Sequence, residues 1–471
     1  MKIPLVTRLA LLALIVALWS PICAADPLFS AVPLTDFGPD ETYLGVFPGK
    51  LYEESNTLPP GSQHDLDGQS FAAHVVPRDS SGSPDPVKGK IVVVGIGMSN
   101  WTWELCSPTQ VTDTPPLPCT PASFLKNALA DPAINNTSLV FIDCAAISQV
   151  APFWVDDSMG LYSRCNTILA DNKVTAQQVQ VILWKDADAF PTVSLAATSD
   201  CSTSSSIGPS TPDACAYEHV VAVVARFVKT EYPNVQQMFL HSRIYAGYAQ
   251  TPLSPEPYAY EYGFATKWLI QAQIDQISSG TINLGTGDLS YGVAPWLAWG
   301  PYFWADGPQP RSDGLTWLRQ DVGKDGIHPT KRGVKKVTQM MLPFYKSSPY
   351  SPWFVADTSK GVPLDLSATT LDFKSEKVGH ISSVKDVKVK NPKGNAAPAV
   401  FNGLSIAQAA GNFVIDRQTT TCEVGANLDP GKSCKIALQF TPAAVGSQSA
   451  TLSINDWSSS ALTVQLTGTG K

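Results

Sequence analysis

Charge is scarce in this chain. Only 15% of its 471 residues are Asp, Glu, Lys or Arg, and none of the basic residues form a cluster. An acidic chain without a basic patch argues against nucleic acid as a partner. No Cys-x-x-Cys occurs, so the cysteines do not read as a zinc site and no metal is expected. Gly95 and Gly97 lack the third glycine of a dinucleotide fingerprint, and no cofactor is expected. Beyond the first 25 residues no apolar stretch is long enough for a transmembrane helix, so no membrane span is expected.

What is present begins with a leader. Lys2 and Arg8 precede an apolar run from Leu9 to Trp19, and Cys23-Ala24-Ala25 offers small residues for cleavage before Asp26. Residues 1–25 therefore read as a secretory signal, and the mature protein is expected in the periplasm or outside the cell. Ile22 before Cys23 is a poor fit to a lipobox. Loss of Lys2 and Arg8 takes the formal net charge from −7 to −9. Cys23 leaves too, and the remaining cysteines fall into neighbourhoods: Cys106 with Cys119, Cys144 with Cys165, Cys201 with Cys215, Cys422 with Cys434. Short-loop disulfides are the natural expectation in a secreted chain, although spacing alone leaves the connectivity open.

The length calls for two domains. Residues 26–89 are rich in Pro, Ser, Gly and Asp and read as an irregular extension wrapped on the first domain. Residues 90–95 are a continuous β-branched run, as in strands buried on both faces of a parallel sheet. Similar runs follow at 138–142, 179–184 and 235–240, with a fifth at 293–299. Helical patterns lie near 121–130, 217–231 and 258–278. Such alternation predicts an α/β domain over 90–346 with a doubly wound, flavodoxin-like, mostly parallel sheet. Residues 347–363 read as a linker. From 364 to 471, short alternating runs separated by turn residues predict an all-β, immunoglobulin-like sandwich.

Two motifs carry chemistry. In Asp325-Gly326-Ile327-His328-Pro329, the carboxylate can take the hydrogen bond of His328 Nδ1. That leaves Nε2 free to accept a proton from a nucleophile. Pro329 suits the first turn of a following helix. The pair lacks a nucleophile, and Gly95-Ile96-Gly97-Met98-Ser99 supplies one. Ser99 follows the first strand at its carboxyl end, where ligands of such sheets bind. Trp101 stands where the Gly-x-Ser-x-Gly elbow has its last glycine, so that motif is absent. On their own, an Asp-x-x-His cap and a Gly-rich turn with an incidental Ser are the plainer alternatives.

Together the motifs resemble the SGNH (GDSL-type) hydrolase superfamily. Gly97-Met98-Ser99 stands for its first block, with Met98 where Asp is usual, and Asp325 to Pro329 for its last. The resemblance implies Ser99 as nucleophile, His328 as general base and then acid, and Asp325 as the orienting carboxylate. It implies an oxyanion hole from the Ser99 amide, a Gly after strand two and an Asn after strand three. Here those places hold Cys144-Ala145 and Lys185. A backbone amide of Cys144 or Ala145, and the Lys185 cation, are the candidate substitutes; the alternative for Lys185 is a pair with Asp186 or Asp188. The segments around Arg243 and around Trp296, Trp299 and Trp304 look like a subgroup of secreted bacterial SGNH-like proteins. There Arg243 would bind a carboxylate and the indoles would stack on sugars or cover an acyl group, unless they fill the core. His241 reads as a hydrogen-bonded strand-end histidine. Asn100-Trp101-Thr102 and Asn135-Asn136-Thr137 are glycosylation sequons in form only. The last hundred residues resemble the hydin-type (ASH) immunoglobulin-like domain, through the Cys422 and Cys434 pair, Leu428-Asp429-Pro430-Gly431 and Gln439-Phe440-Thr441-Pro442. It reads as an interaction or spacer module with a protein or surface partner. The expected function is secreted ester hydrolysis, on an acylated polysaccharide or another small ester. The alternative is a catalytically weak or inactive carbohydrate-binding protein.

Overall fold

A computed structural model describes residues 28–113, 117–203, 207–457 and 460–471, so the expected leader lies outside the described residues. An α/β unit is followed by a β unit. The first is organised by five parallel strands: β1 (Ile91–Gly97), β2 (Leu139–Asp143), β3 (Val179–Lys185), β4 (Gln237–Leu240) and β5 (Trp296–Trp299). They pair in the order β2-β1-β3-β4-β5, one of the doubly wound orders. Every residue of β1 and β3 is buried, as their unbroken apolar runs require.

The extension is more ordered than its composition suggests. It forms a short hairpin and an 11-residue helix, α1 (Gln63–Ala73), whose N-cap Ser62 accepts from the Asp65 amide. Leu34, Phe37, Leu51, Tyr52 and Leu58 are buried in the same core as the sheet. Six more helices follow: α2 (Ser99–Leu105), α3 (Phe124–Ala128), α4 (Leu161–Asp171), α5 (Asp213–Glu231), α6 (Tyr258–Ser279) and α7 (Lys331–Ser347). Helix α7 starts after N-cap Thr330, so Pro329 precedes the helix rather than opening its first turn.

The expected linker is not one. Trp353 and Phe354 are buried in the α/β core, and Trp353 Nε1 donates to Gln237 Oε1 at 3.0 Å. Phe354 stacks on Phe124 with ring centroids 6.1 Å apart. The Ser-Pro density of this stretch concealed two aromatic anchors.

The β unit holds two four-stranded sheets. Its long strands are β6 (Thr370–Glu376), β7 (Lys385–Lys390), β8 (Ser433–Phe440), β9 (Gly446–Asn455) and β10 (Leu462–Gly470). β7 pairs with β8, and β9 with β10, both antiparallel; β10 runs parallel to β6. Alternate residues point inward. Val387, Val389, Ile436, Leu438, Leu452, Ile454, Val464 and Leu466 fill the space with the ring pair Phe413–Phe440. Four disulfides join Cys106–Cys119, Cys144–Cys165, Cys201–Cys215 and Cys422–Cys434. They fit a protein of an oxidising compartment. No described helix is long and apolar enough to cross a membrane.

Candidate active site

The end of β1 delivers Ser99. Gly97 lies so close to β3 that a Cβ there would come within 2.0 Å of the Lys185 carbonyl oxygen. Only glycine permits that approach, and it sets Ser99 at the first residue of α2, 4% exposed. The Asp325–His328 turn is built separately. Gly326 has φ +75°, and a Cβ on it would sit 1.7 Å from the Tyr248 carbonyl oxygen. The Gln250 amide donates to the Asp325 carbonyl oxygen at 2.8 Å, and the Gly323 amide to that of His328 at 2.8 Å. The segment after β4 thus braces this turn.

The two pieces meet. His328 Nε2 lies 2.8 Å from Ser99 Oγ, and His328 Nδ1 lies 2.5 Å from Asp325 Oδ2. The other carboxylate oxygen, Oδ1, accepts from the Ile327 and His328 amides at 3.0 and 3.2 Å. Partial burial works to raise the Asp325 pKa. The hydrogen bonds from His328 and the two amides outweigh it and hold the carboxyl below its ordinary value. The His328 side chain is 20% exposed, so solvent reaches the group over the imidazole.

Several neighbours were not legible as site residues. Asn100, 2% exposed, donates from Nδ2 to the Ile327 carbonyl oxygen at 3.2 Å and ties α2 to the histidine turn. Its burial makes it no glycan acceptor. In the second sequon Asn135 is also committed, donating to the Trp353 carbonyl oxygen at 3.2 Å. Trp103 lies beside His328, with ring centroids 5.6 Å apart. Glu104, fully buried, pairs with Lys185. Spacing offered a signal: Trp103 is four residues from Ser99 and Glu104 four from Asn100, so each pair shares a face of α2.

The candidate oxyanion donors are differently engaged. The Cys144 amide donates to the Gly95 carbonyl oxygen at 2.9 Å, extending the sheet, and the Ala145 amide to Asp143 Oδ1 at 3.1 Å. Lys185 takes Glu104 as partner, rather than Asp186 or Asp188. Burial drives the Glu104 carboxyl up and the Lys185 ammonium down to about 8, against the pull of their own contact. Arg243 is 2% exposed, and none of its guanidinium nitrogens has a hydrogen-bond partner. Glu104 and Asp186 are near enough to act on its charge, so it sits in an internal charge cluster and not on an open cleft.

The three indoles are corrected as well. Trp296, Trp299 and Trp304 are at most 3% exposed. Their Nε1 atoms donate to the His64 carbonyl oxygen at 3.0 Å, the Leu51 carbonyl oxygen at 2.7 Å and Glu256 Oε1 at 2.8 Å. They are core side chains with satisfied polar ends. Trp299 borders a cavity whose other walls include Tyr52 and Tyr350 but not Ser99. His241 bridges the Trp184 carbonyl oxygen at 3.0 Å and the Tyr345 hydroxyl at 2.8 Å, and burial pushes its pKa down to about 3. It is a structural histidine.

No protein-family model matches the chain, and no curated protein is similar to it in sequence. Among solved structures, the chain is similar to an ASH/PapD-like domain of human CEP192, at 13% identity over 25% of this chain and 89% of that one, TM-score 0.19. It is similar to the secreted serine protease VesC from Vibrio cholerae, at 13% identity over 23% of each chain, TM-score 0.19. An endo-fucoidan hydrolase of glycoside hydrolase family 107 is 9% identical over 68% of this chain and 45% of that one, TM-score 0.16. Likenesses this distant assign no activity.

Proposed function

We propose that the protein is a secreted serine esterase of SGNH type, acting on an acylated carbohydrate or another small ester. The observation that carries this reading is the line Ser99–His328–Asp325, with contacts of 2.8 and 2.5 Å across residues 229 and 3 positions apart. Ser99 Oγ attacks the ester carbonyl while His328 Nε2 takes its proton. His328 then hands the proton to the leaving alcohol. A water, deprotonated by His328, attacks the acyl-Ser99 carbonyl and releases the acid. Asp325 holds the imidazole in the tautomer that presents a bare Nε2 and stabilises the imidazolium. The Ser99 amide, in the first turn of α2, has no intrahelical acceptor and is the donor this reading assigns to the developing oxyanion.

A second reading has its own support. The amides of Cys144 and Ala145 already have acceptors, and Lys185 is paired. Lack of one oxyanion donor costs on the order of 100- to 1000-fold in rate. That favours a slow enzyme, or a binding protein that keeps the fold. Turnover of p-nitrophenyl acetate separates the two. The esterase reading expects hydrolysis above the rate of buffer alone and its loss in Ser99→Ala. No turnover by folded wild-type protein supports the binding reading.

A further inference from the structure

A cavity of about 240 Å³ whose walls do not include Ser99 opens between α5, α6, the N-terminal hairpin and the segment 199–202 beside the Cys201–Cys215 disulfide. Its walls include Glu218, Asp200, Asp275, Trp268, Phe47 and Asn283 and, among the described residues, no lysine, arginine or histidine. Glu218 is 1% exposed, and neither of its carboxyl oxygens has a hydrogen-bond partner. A buried carboxyl without donor or counter-charge is costly, and native folds rarely keep one idle. The other two acids are exposed at the rim: Asp275 accepts from Gln271 and Asp200 from Ser202. The aromatic side of the cavity is a half-buried pair, Phe47 and Trp268, with ring centroids 5.3 Å apart.

We propose that this cavity is a second ligand site, which takes a small organic cation: an ammonium or methylated ammonium head group enclosed by Glu218, Asp275 and the Trp268–Phe47 pair. Each part of the wall selects for it. Aromatic faces attract a cation through their quadrupole, and methylated ammonium most suits such a surface because it sheds water cheaply. The carboxyl of Glu218, itself buried, supplies the opposite charge once ionised. Among the described residues no group of three or more His, Cys, Asp or Glu is placed to hold a metal ion, so the acids do not form a metal cage. A neutral sugar would use the rings but leave the concentration of carboxyl groups without purpose. Burial first, and Asp200 second, push the Glu218 pKa well above its ordinary value. An arriving ammonium provides the counter-charge that allows the carboxyl to ionise.

Calorimetric titration of the whole mature protein with choline chloride tests the proposal, with sodium chloride and glucose as controls. The expected result is saturable one-to-one binding of choline, weakened at least tenfold in Glu218→Gln and in Trp268→Leu, with no binding of glucose. Should Glu218→Gln fail to fold, Asp275→Asn on the exposed face of α6 is expected to weaken choline at least threefold. The proposal is overturned if choline shows no saturable heat, if the variants bind it as the wild type does, or if glucose binds in its place. Because the cavity shares no wall with Ser99, ester hydrolysis is expected to be the same in all three variants.

Discussion

At the residue scale, the site depends on which groups hold His328 in one orientation. Asp325→Asn keeps the shape but offers Nδ1 an amide, so the wrong tautomer is stabilised; ester hydrolysis is expected to fall on the order of 10⁴-fold, as it does when this role is disturbed in serine hydrolases generally. Asn100 acts at one remove. Its bond to the Ile327 carbonyl oxygen fixes the turn, and Asn100→Ala is expected to lower kcat by up to about 100-fold with KM unchanged. A rise in KM with constant kcat would mean that Asn100 touches substrate instead. Ser99, Asp325 and His328 were legible because their chemistry is stated by residue type. The partner of Lys185 was not, because it is set by the course of α2, a helix too short to announce itself by periodicity. The three indoles misled for a related reason: a tryptophan has the same composition whether its ring faces a cleft or a core.

At the element scale, the long apolar strands were readable and the site lies where β1 ends. Helix α2 and the anchors Trp353 and Phe354 were not readable, since a seven-residue helix and a Ser-Pro stretch lack a period; α4 does carry one, in Leu161, Cys165, Ile168 and Leu169, and went unpredicted all the same. The turn between Asp325 and His328 needs Gly326 at φ +75°. Gly326→Ala is expected to cost more than about 1 kcal/mol in urea unfolding and to reduce esterase activity further than stability alone would. The carboxyl end of β2 has a pH signature. Asp143 accepts from Thr102 Oγ1 at 2.8 Å, yet burial pushes its pKa up to about 8. Between its ordinary value of about 3.9 and that value, the folded state binds the proton that the unfolded state has lost. Stability therefore falls as pH rises through this window. In Asp143→Asn the melting temperature is expected to vary less between pH 5 and pH 8; an unchanged slope would remove Asp143 from this role.

At the scale of the whole molecule, the two units are joined by a partly buried polar knot. Lys346 Nζ, at the end of α7, bonds Asp131 Oδ2 and Asn427 Oδ1, both at 2.9 Å, and Asn427 Nδ2 returns to Asp131 Oδ1 at 2.8 Å. Lys346→Ala leaves Asp131 without its counter-charge but with its bond from Asn427, and is expected to cost about 1.5–3 kcal/mol in chemical unfolding. Adding Asp131→Asn is expected to recover part of that loss; no recovery would show that the knot is not an ion pair in energetic terms. Two-unit organisation was evident from the change in sequence pattern, but not this seam, which joins residues nearly three hundred positions apart. The central claim concerns the meeting of Ser99 and His328. Its most direct measurement is intact-mass analysis after exposure to a fluorophosphonate probe. One adduct per wild-type chain, absent from both Ser99→Ala and His328→Ala, is the predicted result; a folded wild-type protein that stays unmodified, or a Ser99→Ala chain that is still labelled, would contradict it.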